Sequence, residues 1–409
     1  MSSVLCECPY TSLISEPTSL SGEDLRWFDD LRAWIIDDGA RTRSTGAIWQ
    51  RFCDRLYEKG VPLARAATQI RTMHSVTAGV QRLWTPGHMV RQRNWVYTND
   101  QSSYLRSPVR TVHETKQWLR TRLNVKTALE YEIFQELFDE GMTDYVRIPL
   151  EFTNGTLNII SYATKDPDGF SDRDIVIMAT LLPTLRTVLE LMTYHRMIED
   201  VTCTYLGRAP GRRVLDGDVR WGEVSSIDAA ILISDMRDFT MISDLADDRD
   251  TVRMLNAYYD CVIPAVEQAG GEVLKFMGDG VLAVFEASEE AISHGQGCNT
   301  ALRAPRRALS GIDRYNASHT SSNSTMRVGI ALHFGSVAHG NVGSGERLDF
   351  TVIGKDVNLA SRIASKCKDL DTPLLMSAPF AERVRSPVHE LGAFELRGVT
   401  EWQTLYGIG

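Results

Sequence analysis

Two aspartates stand where metal chemistry would need them. Asp235 closes an apolar run, AAILISD, and Asp279 sits at the tip of LKFMGDGVLAVF. An acidic group after five apolar residues needs a partner, whereas Asp-Gly is a common hairpin turn and by itself requires no chemistry. Carboxylates that share a site repel unless a cation joins them. Mg²⁺ or Mn²⁺ suits such oxygen ligands and takes its other ligands from water and substrate phosphates. Two such ions about 4 Å apart can activate an attacking oxygen and hold departing phosphates. A second pair lies in GKDVNLASR, residues 354–362. Asn358 and Arg362 are four residues apart and share a helix face, while Val357, Ala360, Ile363 and Cys367 make the buried stripe. Together an Asn and an Arg can hold a ribose oxygen and a phosphate in transfer. A solvated polar face has the same spacing. There is no Walker A motif, because Asp356 follows Gly354-Lys355 and Asp349 stands where a glycine is required.

These residues need a scaffold that brings distant segments together. Ala229–Asp235 reads as a buried strand and Thr251–Gln268 as a helix. Glu272–Gly278 and Val281–Phe285 form a hairpin about Asp279-Gly280. A helical region at 288–315, strands at Met326–His333 and Phe350–Ile353, and a helix at Asp356–Cys367 follow. Strand–helix–strand–strand–helix–strand is the ferredoxin-like order, in which the first strand and the hairpin are neighbours.

The four ordered blocks ISDMRDFT, VLKFMGDGVLAVF, RVGIALHFGSVAHGNVGS and DFTVIGKDVNLASR resemble the class III adenylyl/guanylyl cyclase domain. The resemblance covers about 225–409 and implies an α+β, ferredoxin-like catalytic domain. By position, it makes Asp235 and Asp279 the metal-binding aspartates, with two Mg²⁺ or Mn²⁺ ions per active site. Lys275 and Thr351 would read the base, Asn358 would orient the ribose and Arg362 would stabilise the transition state. The backbone from Met236 to Phe239 and Thr240 would cradle metal and phosphates. It also implies a homodimer, since in this family one domain supplies the aspartates and the other the base-reading and Asn/Arg residues.

ATP is the expected substrate. A lysine only donates, which suits the acceptor ring nitrogen beside the adenine amine, whereas guanine offers a donor there. Thr351 can accept from that amine but can equally donate. A guanylate or pyrimidine nucleotide cyclase is the alternative, and a catalytically silent nucleotide-binding sensor is another. No GGDEF-like string supports a diguanylate cyclase. One departure is plain: Val399, in Leu396-Arg397-Gly398-Val399-Thr400, stands where many members of the family carry a phosphate-binding lysine, and Arg397 is the nearest substitute.

The 409 residues are too many for one ordinary core, so two domains are expected: 1–200, a linker at 201–224, and 225–409. A net charge of -9 argues against nucleic acid as partner. Seven scattered cysteines without a CxxC pair read as reduced thiols. The first residues lack a basic start and an apolar block, and Ile175–Met192 contains Pro183, Arg186 and Glu190, so a cytoplasmic protein without membrane insertion is expected. Residues 20–140 read as mainly helical. Tyr145–Leu150 and Leu157–Tyr162 read as strands about the Asn154-Gly155 turn. A helix opening near Ser171 carries Ile175, Met178, Leu182, Leu185, Leu189 and Met192 at heptad spacing, a seam suited to a dimer contact or to packing on its own domain. This end of the N-terminal half is similar to the last strand and closing helix of a GAF-type sensor. A regulatory domain with an unknown small-molecule or protein effector is therefore expected there.

Overall fold

The computed structural model describes residues 3–6, 20–39, 41–42, 44–97, 102–217, 220, 224–286, 296–319, 325–344 and 347–408. The chain divides into two compact units, Met1–Val201 and Thr202–Gly409.

The first unit is built on a sheet, not mainly on helices. Its strands are β1 (Ser3–Cys6), β2 (Arg65–Arg71), β3 (Thr77–Trp84), β4 (Arg91–Val96), β5 (Trp118–Arg122), β6 (Asp144–Glu151) and β7 (Leu157–Thr164), in the order β1-β5-β6-β7-β2-β3-β4. Helices α1 (Gly22–Trp34) and α2 (Thr45–Glu58) and the long α3 (Asp172–Leu206) accompany it. The helical expectation for 20–140 fails over β2 to β5. RAATQIR and WLRTR carry Ala, Arg, Gln and Leu, residues of good helix propensity. Their pairing with β3, β7, β6 and β1 decides the outcome, since strand preference follows packing more than intrinsic propensity.

The hairpin of β6 and β7 forms about Gly155, whose φ of +80° suits glycine. Ser171 caps α3, accepting from the Asp174 amide at 3.3 Å. By length and composition alone, α3 is able to cross a membrane. Its heptad residues Ile175, Met178, Leu185, Leu189 and Met192 are nevertheless buried in the core of this unit, and Leu182 packs against it. The seam residues thus pack in the core of their own unit. The segment expected as a linker contains the end of α3 and a helix at Arg208–Leu215, while 218–219 and 221–223 lie outside the described residues.

The second unit has the expected order. Strand β8 (Val224–Met236) is followed by α4 (Phe239–Leu245) and α5 (Asp248–Gln268), then β9 (Glu272–Met277) and β10 (Gly280–Glu286). Helix α6 (Arg303–Ser318), β11 (Val328–Ser344), β12 (Arg347–Ile353) and α7 (Lys355–Asp369) come next, then β13 (Leu374–Ser377), β14 (Val388–Phe394) and β15 (Gln403–Ile408). Part of the helical region expected at 288–315 falls in 287–295, outside the described residues.

The sheet runs β14-β15-β13-β11-β8-β10-β9, with β12 paired to β11. Its ferredoxin-like centre is β9-β10-β8-β11. Alternation along β8 fixes the layers. Ala230 and Leu232 face a core shared with Tyr258 and Val262 of α5 and Ile312 of α6. Ala229, Ile231 and Ile233 face the opposite core, with Ala360, Ile363 and Cys367 of α7. Both sheet faces are therefore covered, and each Leu or Ile withdrawn from water contributes roughly 1.5–3 kcal/mol.

Candidate active site

β8 and β10 pair antiparallel with Gly280 opposite Asp235, so Asp279, just before β10, falls beside the end of β8. The Met236 amide donates to the Asp279 carbonyl at 3.2 Å, which locks the turn to the strand. A side chain at Gly280 would meet Asp235 Oδ1 at 3.3 Å, so glycine there leaves room for the carboxylate. The two carboxyl groups line the same pocket from adjacent strand ends. Shielding at the sheet end, then the neighbouring Asp279, pushes Asp235 up to about 6.

Aromatic residues hold the turn from beneath. Tyr258 Oη donates to the buried Ser234 Oγ at 2.8 Å. Tyr259 Oη donates to the Gly278 carbonyl at 2.5 Å, and its ring lies 4.7 Å from that of Phe276.

Asp235 and Asp279 line a pocket of about 780 Å³, closed by the loop from Met236 to Thr240, by α4 and by the end of α7. This volume is in the range of small-ligand sites. Arg237 anchors the loop: it bonds to Asp371 and the Cys367 carbonyl at 2.9 Å each, and to the Thr372 carbonyl. Met236, Phe239 and Thr240 all line the pocket.

The other expected residues lie elsewhere in the unit. Asn358 and Arg362 are exposed on α7, and neither lines the pocket. The start of α7 is well fixed. Asp356 accepts from the Ser336 amide at 3.0 Å and lies 3.4 Å from the buried His333, which bonds to Ser377 at 2.7 Å. Lys275 projects from β9 and Thr351 is buried on β12; they too are outside the pocket lining. One chain thus assembles the acidic pocket, while its Lys275, Asn358 and Arg362 are exposed elsewhere in the unit and its Thr351 is buried on β12. Arg397 is exposed in a turn and likewise does not line the pocket.

Three residues were not singled out from the sequence. Asp349 forms an ion pair with Lys275. Its position was findable, because it lies two residues before Thr351 on the same strand face. Asp238 and Lys368 meet at the pocket mouth, a contact across 130 residues that no sequence pattern announces.

A divalent cation fits this donor set, for the adjacent carboxylates repel when both are ionised and a cation relieves that cost. An acid whose folded pKa is raised from 3.8 to about 6 loses folded-state stability as pH rises through that interval. Because Asp235 remains open to water, the penalty at pH 8 is discounted to roughly 1 kcal/mol. Asp235→Asn should therefore raise the metal-free melting temperature of the C-terminal unit at pH 8 by about 2–4 °C, while leaving it little changed near pH 4. Added Mg²⁺ should stabilise the wild type and not the variant. Calorimetry would count against the carboxylate pair if the variant melted below wild type at pH 8.

Comparison with known proteins accords with this geometry. Residues 224–405 match the family described as the adenylate and guanylate cyclase catalytic domain. The chain is 29% identical to an adenylate cyclase of Anabaena cylindrica over 175 residues, 42% of this chain and 33% of that protein. It is 29% identical to adenylate cyclase 1 of Rhizobium meliloti over 181 residues, 43% of this chain and 27% of that protein. It therefore spans a third or less of the length of these relatives. A solved bacterial light-regulated adenylyl cyclase covers 56% of this chain and 64% of its own, with 23% identity and a TM-score of 0.47. By its motifs and the family match, the C-terminal half of this chain, residues 224–405, belongs to the adenylate and guanylate cyclase catalytic domain family.

Proposed function

We propose that this chain is an adenylate cyclase, converting ATP to 3′,5′-cyclic AMP and pyrophosphate at a site completed by two copies of the chain. The observation that carries the reading is the meeting of Asp235 and Asp279 at one pocket that the chain's own Asn358 and Arg362 do not line. A second copy supplying those side chains would complete it, and twofold symmetry would make two equivalent sites.

Asp235, Asp279 and the Met236 carbonyl would hold Mg²⁺ or Mn²⁺, which when bound would sharpen the ribose 3′-hydroxyl as a nucleophile and neutralise phosphate charge. Lys275 would donate to the adenine ring nitrogen and Thr351 would accept from the adenine amine. Asn358 would hold the ribose so that its 3′-oxygen faces the α-phosphorus. That oxygen would bond to the α-phosphorus, its proton passing to water, as the bond from phosphorus to the bridging oxygen breaks and pyrophosphate leaves, and Arg362 would spread the charge that develops. No covalent enzyme intermediate is required. The N-terminal unit would regulate the pair through an effector of its own, and the cell interior would be the place of action.

The four ribonucleoside triphosphates, each offered separately with Mg²⁺ or Mn²⁺, test the reading. Cyclic AMP should form from ATP at a kcat/KM at least about tenfold above that for any other cyclic nucleotide. Cyclic GMP as the main product would replace the proposal with a guanylate cyclase, and no product from any of the four would leave a silent nucleotide-binding domain.

A further inference from the structure

The pocket that holds the two aspartates must also take a highly charged polyphosphate if the cyclase reading is right, and this inference rests on that reading. Among the described lining residues, the cations are Arg237 and Lys368. Arg237 is committed: its guanidinium is nearly buried and bonded to Asp371 and two backbone carbonyls. Lys368 is the opposite case. It projects from the last turn of α7 with two thirds of its side chain exposed, and its ammonium donates to Asp238 at 2.8 Å.

Asp238 is itself unusual. It adopts φ of +58°, a left-handed conformation that costs most side-chain-bearing residues energy and that Asp and Asn tolerate best. Its second oxygen accepts from Arg327 at 2.5 Å. One of its oxygens thus accepts from Lys368 and the other from Arg327. To a lysine that lines the pocket, a carboxylate offers the same kind of anionic oxygen acceptor that a phosphate would.

We propose that Lys368 is the phosphate-receiving cation of this pocket, held by Asp238 until the terminal phosphates of a nucleoside triphosphate, or inorganic pyrophosphate, take it over. The exchange leaves no stranded charge, because Asp238 keeps Arg327 when Lys368 moves to the phosphate. A lysine suits this task as a mobile point charge on a flexible stem. It also supplies, from the chain that bears the aspartates, a positive charge that Val399 does not provide. On a helix of 3.6 residues per turn, Lys368 lies about 120° round from Arg362. The same helix thereby faces its own pocket with one cation and a different surface with the other.

The test uses the full-length chain and two readouts, equilibrium binding of inorganic pyrophosphate with Mg²⁺ and steady-state kinetics with ATP. Lys368→Gln should weaken pyrophosphate binding about tenfold and raise KM by a similar factor, with kcat changed far less; this is the size of one lost charged hydrogen bond at an accessible site. Lys368→Arg should restore both within about threefold, since its charge can still reach a phosphate oxygen. Asp238→Asn, which keeps the backbone conformation and releases both cations, should tighten pyrophosphate binding. Unchanged pyrophosphate affinity in Lys368→Gln overturns the proposal, even if the wild type makes cyclic AMP. A chain that makes no cyclic nucleotide, yet loses pyrophosphate binding in Lys368→Gln, overturns the cyclase reading and leaves this phosphate site standing.

Discussion

Asp235→Ala and Arg362→Ala, purified separately, are each expected to lose cyclase activity by at least about 10³-fold, and mixing the two is expected to restore it. The first variant removes one of the paired carboxylates that the pocket offers to divalent ions. The second removes the exposed guanidinium on α7 that the proposed reaction assigns to the charge developing on the phosphate. Recovery follows from where these groups lie. Arg362 does not line the pocket of its own chain, so a complete site would draw Asp235 from one copy and Arg362 from the other. A mixed dimer then has one site with both lesions and one with neither. Random reassortment makes half of the dimers mixed, each with one working site of two, so about a quarter of wild-type activity should return. If mixed dimers form, as shown by two distinguishable tags, and activity stays at the level of the single variants, the shared site is wrong. Both substitutions fall on exposed side chains, so loss through unfolding is not expected, and melting temperatures measured alongside would expose it.

The second large effect concerns base choice. Lys275→Glu should lower kcat/KM for ATP by about 10²-fold, because a site that donated to the adenine ring would then present an acceptor to an acceptor. The same acceptor would suit the donor that guanine offers. Activity with GTP should nevertheless stay low in the single variant. Lys275 is paired with Asp349, and a glutamate at 275 would stand against that carboxylate. Like charges at that distance repel, which turns the new side chain away or keeps it protonated. The double variant Lys275→Glu with Asp349→Asn removes the conflict and should show the greater activity with GTP. Equal GTP activity in the single and double variants would separate Asp349 from base selection. An unchanged rate with ATP in Lys275→Glu would remove Lys275 from the base site altogether. Asp349→Asn alone should weaken ATP use modestly, since Lys275 keeps its charge and loses its orienting partner.

The places of the candidate residues on strand, turn and helix were legible along the chain because local order rests on short-range information. The apolar run ending at Asp235, the Asp279-Gly280 turn and the i, i+4 spacing of Asn358 and Arg362 depend on strand alternation, turn geometry and helix pitch, which neighbouring residues set. The same logic placed β6, β7 and the start of α3 at Ser171. Where the partner is distant in sequence, composition misleads. The helix-favouring residues of β2 and β5 are held in strands by their neighbours in the sheet, and the heptad seam of α3 is consumed by the core of its own unit. A buried apolar stripe has one appearance whether it meets its own domain or a second chain. Tertiary structure alone brought Asp349 to Lys275 across 74 residues and Asp238 to Lys368 across 130. Ion pairs between distant segments follow no periodicity, so only the folded sheet and the helix packed on it determine which charges meet.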